Sequence, residues 1–75
     1  MLVALIQLEG HSAVYAQYSG GYKVWIRDGN VFNAYKFVSG KSLTVIPATA
    51  RALFEASGPI IGDRPAGVDA YGIPN

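Results

Sequence analysis

The chain has no cysteine and only one histidine, His11, among its 75 residues. Without cysteine it forms no disulfide, and one histidine falls short of the roughly four Cys, His or carboxylate ligands that a zinc site requires. A domain this small has a limited core, which is usually supplemented by disulfides, by a metal or by association with other chains. We therefore expect association with other polypeptides, with no bound metal and no cofactor.

Charge is also scarce: charged residues make up 15% of the chain and hydrophobic residues 51%, whereas soluble domains average about 25% charged residues. The six basic and five acidic residues give a net charge of +1 and form no runs. This argues against nucleic acid as a partner, because such surfaces carry a basic stripe, and against a polybasic membrane anchor. The composition predicts exposed apolar surface for protein–protein contact, with an aromatic-rich core as the alternative.

The N-terminal apolar segment Leu2–Leu8 is interrupted only by Gln7. It is much shorter than the ~20 residues that cross a bilayer, and it lacks the basic region and cleavage site of a signal peptide. Because it is apolar on both faces, it is typical of a strand that is buried from both sides. We predict a first strand here, with no membrane partner and no secretion.

Alternation with a period of two predicts further strands over 12–18, 22–27, 31–38 and 43–46. Asp28-Gly29 separates the third and fourth of these five strands, and Asp-Gly between alternating runs is a strong hairpin signal. The first four strands, joined by short glycine turns, predict an antiparallel meander.

One short helix is predicted near residues 48–57, because Ala50, Leu53 and Phe54 have the spacing of one helical face and Gly58 follows it. Residues 60–75 contain three glycines and two prolines without periodicity. We expect this segment to be an extended C-terminal arm that lies in a groove of a neighbouring subunit in preference to its own domain. The predicted fold is thus a mainly β domain over 1–59, a small antiparallel meander, sandwich or partly open barrel of about five strands with one short helix, followed by the arm at 60–75.

Two patterns resemble catalytic motifs, and neither is complete. Gly40-Lys41-Ser42 ends like a P-loop, but tyrosine stands where that motif needs its first glycine, and a strand follows instead of a helix. His11 and Ser12 share a turn with no motif around them, which is insufficient for a catalytic triad. We expect no catalytic residue and a protein that is not an enzyme.

Aromatic residues alternate with Lys23, Arg27 and Lys36, a pattern typical of platforms on which single-stranded nucleic acid stacks and equally of cross-strand aromatic pairs. Trp25 shares a face with Lys23 and Arg27, so we expect it to be exposed and to anchor an interface. The residues predicted to contact neighbouring subunits are Tyr22, Trp25, Arg27, Ile60, Ile61, Val68, Tyr71 and Ile73.

Residues 36–61, KFVSGKSLTVIPATARALFEASGPII, resemble a pattern found in small virion proteins of tailed bacteriophages. That pattern has a glycine turn, a short strand, a small-residue helix of the form A-x-A-x-x-L and a terminating glycine, matched here by Gly40, Leu43, Val45, Ala48, Ala50, Leu53 and Gly58. The resemblance implies a structural subunit of a phage particle that is made in the host cytoplasm.

Within the particle, the implied role is a capsid decoration (cement) protein or a head-to-tail component. Its expected partners are the major capsid or neck protein and further copies of itself in a homo-oligomer. The alternative is a small free binding module, either a host-enzyme inhibitor or a barrel that binds single-stranded nucleic acid.

Overall fold

The structure, a computed structural model, describes residues 1–75 and contains a four-stranded mixed sheet with helices. Its elements in chain order are β1 (Leu2–Leu8), β2 (Val14–Tyr18), β3 (Tyr22–Ile26), α1 (Gly29–Ser39), β4 (Leu43–Ile46), a 3₁₀ turn (Ala48–Ala50) and α2 (Arg51–Ala56). The strand order is β3-β2-β1-β4. The first three strands form the predicted antiparallel meander, but β4 is parallel to β1. Helix α1 therefore carries the chain from one edge of the sheet to the other.

The predicted hairpin over residues 20–38 is wrong, because residues 29–39 form helix α1. Asp28 is the N-cap of this helix, and its side chain accepts a hydrogen bond of 2.9 Å from the amide of Val31. The helix ends at Gly40, whose positive φ of 70° fits a left-handed C-cap. Asp-Gly is compatible with a tight turn and with a helix start, so the local sequence alone did not decide between them.

With one predicted strand replaced by a helix, the sheet has four strands instead of about five, and it neither closes into a barrel nor pairs with a second sheet. Helix α1 covers one face, where Phe32 and Tyr35 pack over the buried residues Leu5, Ala16 and Ile26. The other face holds the main cluster, made of Ile6, Leu8, Tyr15, Ile46, Phe54 and Ile73. Strand β1 contributes to both clusters, which explains why it is apolar on both faces.

The short helix predicted near 48–57 is present as the 3₁₀ turn followed by α2. Phe54 is completely buried, whereas the neighbouring Leu53 is 65% exposed. Only one of the two large apolar side chains of α2 therefore contributes to the core. Neither α1 nor α2 has both the length and the hydrophobicity that crossing a bilayer would require.

The predicted C-terminal arm is also wrong, because residues 60–75 fold back onto their own domain. The amide of Lys23 donates to the carbonyl of Pro59, and the amide of Ile61 donates to the carbonyl of Lys23, both at 2.9 Å. Asp69 Oδ1 accepts from the amides of Tyr71 and Ile73 at 2.8 and 3.0 Å. This local turn directs Ile73, only 6% exposed, into the main cluster.

The accessible surface supports the same conclusion about the C-terminal segment. It amounts to 4505 Å² for a chain of 8.0 kDa, and a globular monomer of that mass exposes about 4,450 Å². The chain alone therefore reaches ordinary compactness.

Candidate interaction surface

After Met1, the most exposed large apolar side chains are those of Phe37 and Val38, and both lie on α1. Phe37 is 90% exposed, Val38 is 85% exposed and Val31 is 39% exposed, and Ala34 between them is exposed as well. No residue of this helix is fully buried. We call the four residues Val31, Ala34, Phe37 and Val38 the α1 stripe.

Helical geometry places the α1 stripe on one side of the helix, away from the sheet. Val31, Ala34 and Val38 are spaced by three and four residues, and Phe37 lies one turn beyond Ala34. The sheet-facing side is carried instead by Phe32 and Tyr35. Helix α1 is thus apolar on two sides, and its own domain covers only one of them.

The stripe carries no charge of its own. Lys36 is the only charged residue within α1, and its ammonium lies 6.0 Å from the ring centroid of Phe32, on the flank away from the stripe. Asn30 and Asn33, both exposed, lie one turn before Ala34 and Phe37 respectively. Within α1, the residues that border the stripe are therefore polar and uncharged.

An apolar groove of about 450 Å³ continues from the C-terminal end of the stripe. Its lining is Met1, Leu2, Tyr18, Tyr35, Val38, Ser39 and Lys41. The hydroxyls of Tyr18 and Tyr35 are 3.2 Å apart, and this hydrogen bond, with burial, raises the pKa of Tyr18 to about 12. Val38 belongs to both the groove and the stripe, so the two form one continuous apolar surface.

A second groove of about 410 Å³ lies at the N-terminal end of α1, beside Trp25, Arg27, Phe32 and Pro65. Arg27 forms an ion pair with Asp63, and its guanidinium carbon is 5.4 Å from the ring centroid of Trp25. Trp25 is half-buried and packs against the main cluster. It is therefore less exposed than its place in the alternating pattern predicted.

Lys23, which the alternation placed in solvent, is completely buried. Its ammonium donates to the carbonyls of Phe54 and Gly58 at 3.2 and 2.6 Å and to Ser57 Oγ at 2.8 Å. It also lies 4.7 Å from the ring centroid of Phe54. All three of its donors are used where α2 ends, and α2 has no basic residue in its own last turn. Lys23 therefore has a structural role, as the cation that closes the C-terminus of α2.

The predicted interface residues are dispersed over the molecule. Arg27, Ile61 and Tyr71 are exposed, while Tyr22, Trp25, Ile60 and Val68 are half-buried. Ile73 occupies the main cluster and is not accessible to a partner. None of the eight lies on α1, because the strand assignment for residues 31–38 had placed Phe37 and Val38 on opposite faces. The missed signal was a helical spacing of apolar residues at i, i+3, i+4 and i+7, formed by Val31, Ala34, Tyr35 and Val38.

Burial lowers the pKa of Lys23 from 10.5 to about 8. Between these values the unfolded chain retains a proton that the folded protein has lost, so the free energy of unfolding should rise with pH. From pH 8 to pH 10 we expect a slope of up to about 1.4 kcal/mol per pH unit. Above pH 10 the trend should reverse, because the pKa values of Tyr15 and Tyr18 are both raised to about 12.

Urea denaturation at pH 7.5 to 9.5 measures this slope, and the Lys23→Met variant is the control. The difference between the two proteins isolates Lys23 from every other group that titrates in this range. A rise of equal slope in both proteins would contradict the assignment to Lys23.

Comparison with known proteins identifies no relative: no protein-family model, curated protein or solved structure matches this chain.

Proposed function

We propose that this chain is a non-enzymatic assembly subunit that binds other protein chains through the α1 stripe. The observation that carries this proposal is the exposure of Phe37 and Val38 on an otherwise ordinary compact surface. Burying a side chain of this kind contributes roughly 1.5–3 kcal/mol relative to leaving it in water. An interface that covers the stripe gains this energy without any rearrangement of the core.

The proposed setting is a tailed-bacteriophage particle, in which the chain acts as a capsid decoration protein or a head-to-tail component. Supporting this setting is the resemblance of residues 36–61, which here span the end of α1, β4 and α2. A decoration subunit adds to many identical sites without chemistry, and it needs a compact fold and a projecting apolar surface. The proposed partners are the major capsid or neck protein and further copies of the chain itself.

A free binding module, such as an inhibitor of a host enzyme, is the second candidate. It is favoured by the surface area of the isolated chain, which equals that of an ordinary monomer. The two candidates differ in where the chain is found, since an inhibitor acts away from particles whereas a structural subunit copurifies with them in fixed stoichiometry.

The test is quantitative mass spectrometry of particles purified from the source of the chain, comparing wild type with Phe37→Asp. Leu53→Asp is the matched control, because Leu53, like Phe37, is a large exposed apolar residue, but it lies on α2. We expect wild type and the Leu53 variant to be incorporated, and the Phe37 variant to fall at least tenfold, a change of about 1.4 kcal/mol. Equal incorporation of all three would refute the role of the stripe, and absence of the wild-type chain from particles would refute the setting.

A further inference from the structure

We propose that the occupant of the α1 stripe is a second copy of this chain, with the two α1 helices packed antiparallel about a twofold axis near Ala34. This inference rests on the proposed function and specifies its partner. It would make the subunit a reversible homodimer with an isologous interface, in which the same surface is used by both copies.

The charges at the two ends of α1 are self-complementary in this arrangement. Exposed Asp28 precedes the helix, and exposed Lys41 follows it. In an antiparallel pair centred on Ala34, Asp28 of one copy lies opposite residues 40–41 of the other. The nearby Arg27 is already paired with Asp63, so it does not cancel this attraction. A parallel pair would instead bring like charges together.

The side chains of the stripe also fit an antiparallel pair. Ala34 is small, so it permits close approach where the helices cross, and the same symmetry places Phe37 against Val31 of the other copy. The amides of Asn30 and Asn33 both donate and accept hydrogen bonds, so these residues are compatible with an identical surface. No charge within the stripe would be buried in the process.

The size of the surface indicates a weak dimer. Helix α1 has 11 residues, which gives a length of about 16 Å. A contact of this length and one helix diameter in width buries no more than roughly 800 Å² in total, which is below the ~1,200–2,000 Å² of stable specific interfaces and within the range of weak, transient ones. We therefore expect a dissociation constant on the order of 10–100 μM, equivalent to about 5.5–7 kcal/mol.

A lipid surface is a less suitable occupant, because helices that lie on membranes carry several basic residues on their polar face. Helix α1 has only Lys36. A different protein would fit the apolar side chains, but it would not require the matching charges at the two ends. The observations therefore favour a second copy.

The absence of cysteine makes disulfide crosslinking an unambiguous test. Ala34→Cys places one thiol at the proposed axis, and Lys36→Cys places one on the flank of the same helix that faces away from the stripe. Under mild oxidation at about 100 μM, in the range of the expected dissociation constant, we expect the Ala34 variant to crosslink at least tenfold faster. Adding Phe37→Asp to Ala34→Cys should remove this advantage.

Sedimentation equilibrium supplies the second readout, with wild type expected to dimerise and Phe37→Asp to remain monomeric. Equal crosslinking rates together with a monomeric wild type would overturn the inference. If the monomeric wild type still enters particles and Phe37→Asp does not, the partner is a different protein and only the self-association is refuted. Binding of wild type to anionic vesicles in place of dimerisation would equally overturn it.

Discussion

Replacing Phe54 by alanine should lower the free energy of unfolding by about 3–5 kcal/mol. Its side chain is completely buried, its ring meets that of Tyr15 edge to face with centroids 5.7 Å apart, and the ammonium of Lys23 lies over it. A domain of this size has a total stability of roughly 4–11 kcal/mol. The substitution should therefore remove a large part of that stability, seen as a lower urea midpoint in denaturation followed by circular dichroism.

Leu53→Ala is the matched control for this substitution. Leu53 is adjacent in the same helix but is 65% exposed, so its truncation should change the free energy of unfolding by no more than about 0.5 kcal/mol. Comparable losses in the two variants would show that α2 is not oriented with Phe54 towards the sheet.

Truncating the chain after Val68 should abolish cooperative folding. The deletion removes Ile73 from the main cluster and takes away the Ala70 carbonyl that accepts from the amide of Ile60 at 2.7 Å. It also uncovers Tyr15 and Phe54, against which Gly72 packs closely. The loss of Ile73 alone corresponds to about 2–5 kcal/mol, before any effect of exposing the two rings.

Two point variants separate packing from chain length in this experiment. Ile73→Ala should lose most of that energy, whereas Tyr71→Ala, at an exposed position of the same segment, should lose little. The urea midpoint of the truncated chain and of the two point variants is measured by circular dichroism. A truncated chain that unfolds cooperatively at the wild-type midpoint would restore the view of residues 60–75 as a detachable arm.

The strands of the sheet and the short helix near residue 50 follow from local signals, and the structure places them close to the predicted residues. Helix α1 could not be predicted from local signals, because Asp28-Gly29 is equally compatible with a hairpin turn and with the start of a helix. What decides between them is tertiary: Leu5, Ala16 and Ile26 form an apolar sheet face that needs a cover. A fifth strand would have left that face open to water.

The C-terminal segment and Lys23 escaped prediction for related reasons. Residues 60–75 are held by single hydrogen bonds and by the turn at Asp69, features that produce no periodicity in the sequence. Lys23 occupies a position in β3 where a basic residue is ordinarily solvated, and its burial depends on acceptors more than 30 positions later. Neither the folding back of residues 60–75 nor the burial of Lys23 can therefore be predicted from the residues next to them in the sequence.

Because residues 31–38 were predicted to form a strand, the predicted interface did not include the exposed residues of α1. Sequence patterns correctly suggested that so apolar a chain would expose hydrophobic residues, but they located those residues on the hairpin and the tail. Apart from Met1, the folded chain exposes them most strongly at Phe37 and Val38. Only a helical assignment brings these two side chains onto one surface with Val31.

The central claim is that one chain completes its own fold and that α1 adds an association surface to it. The most direct measurement is the urea midpoint of Phe37→Asp as a function of protein concentration. We expect a cooperative transition whose midpoint does not vary between about 1 and 100 μM and equals that of wild type at the lowest concentration. A Phe37→Asp protein that is unfolded as a monomer, or whose midpoint is well below that of dilute wild type, would contradict the claim.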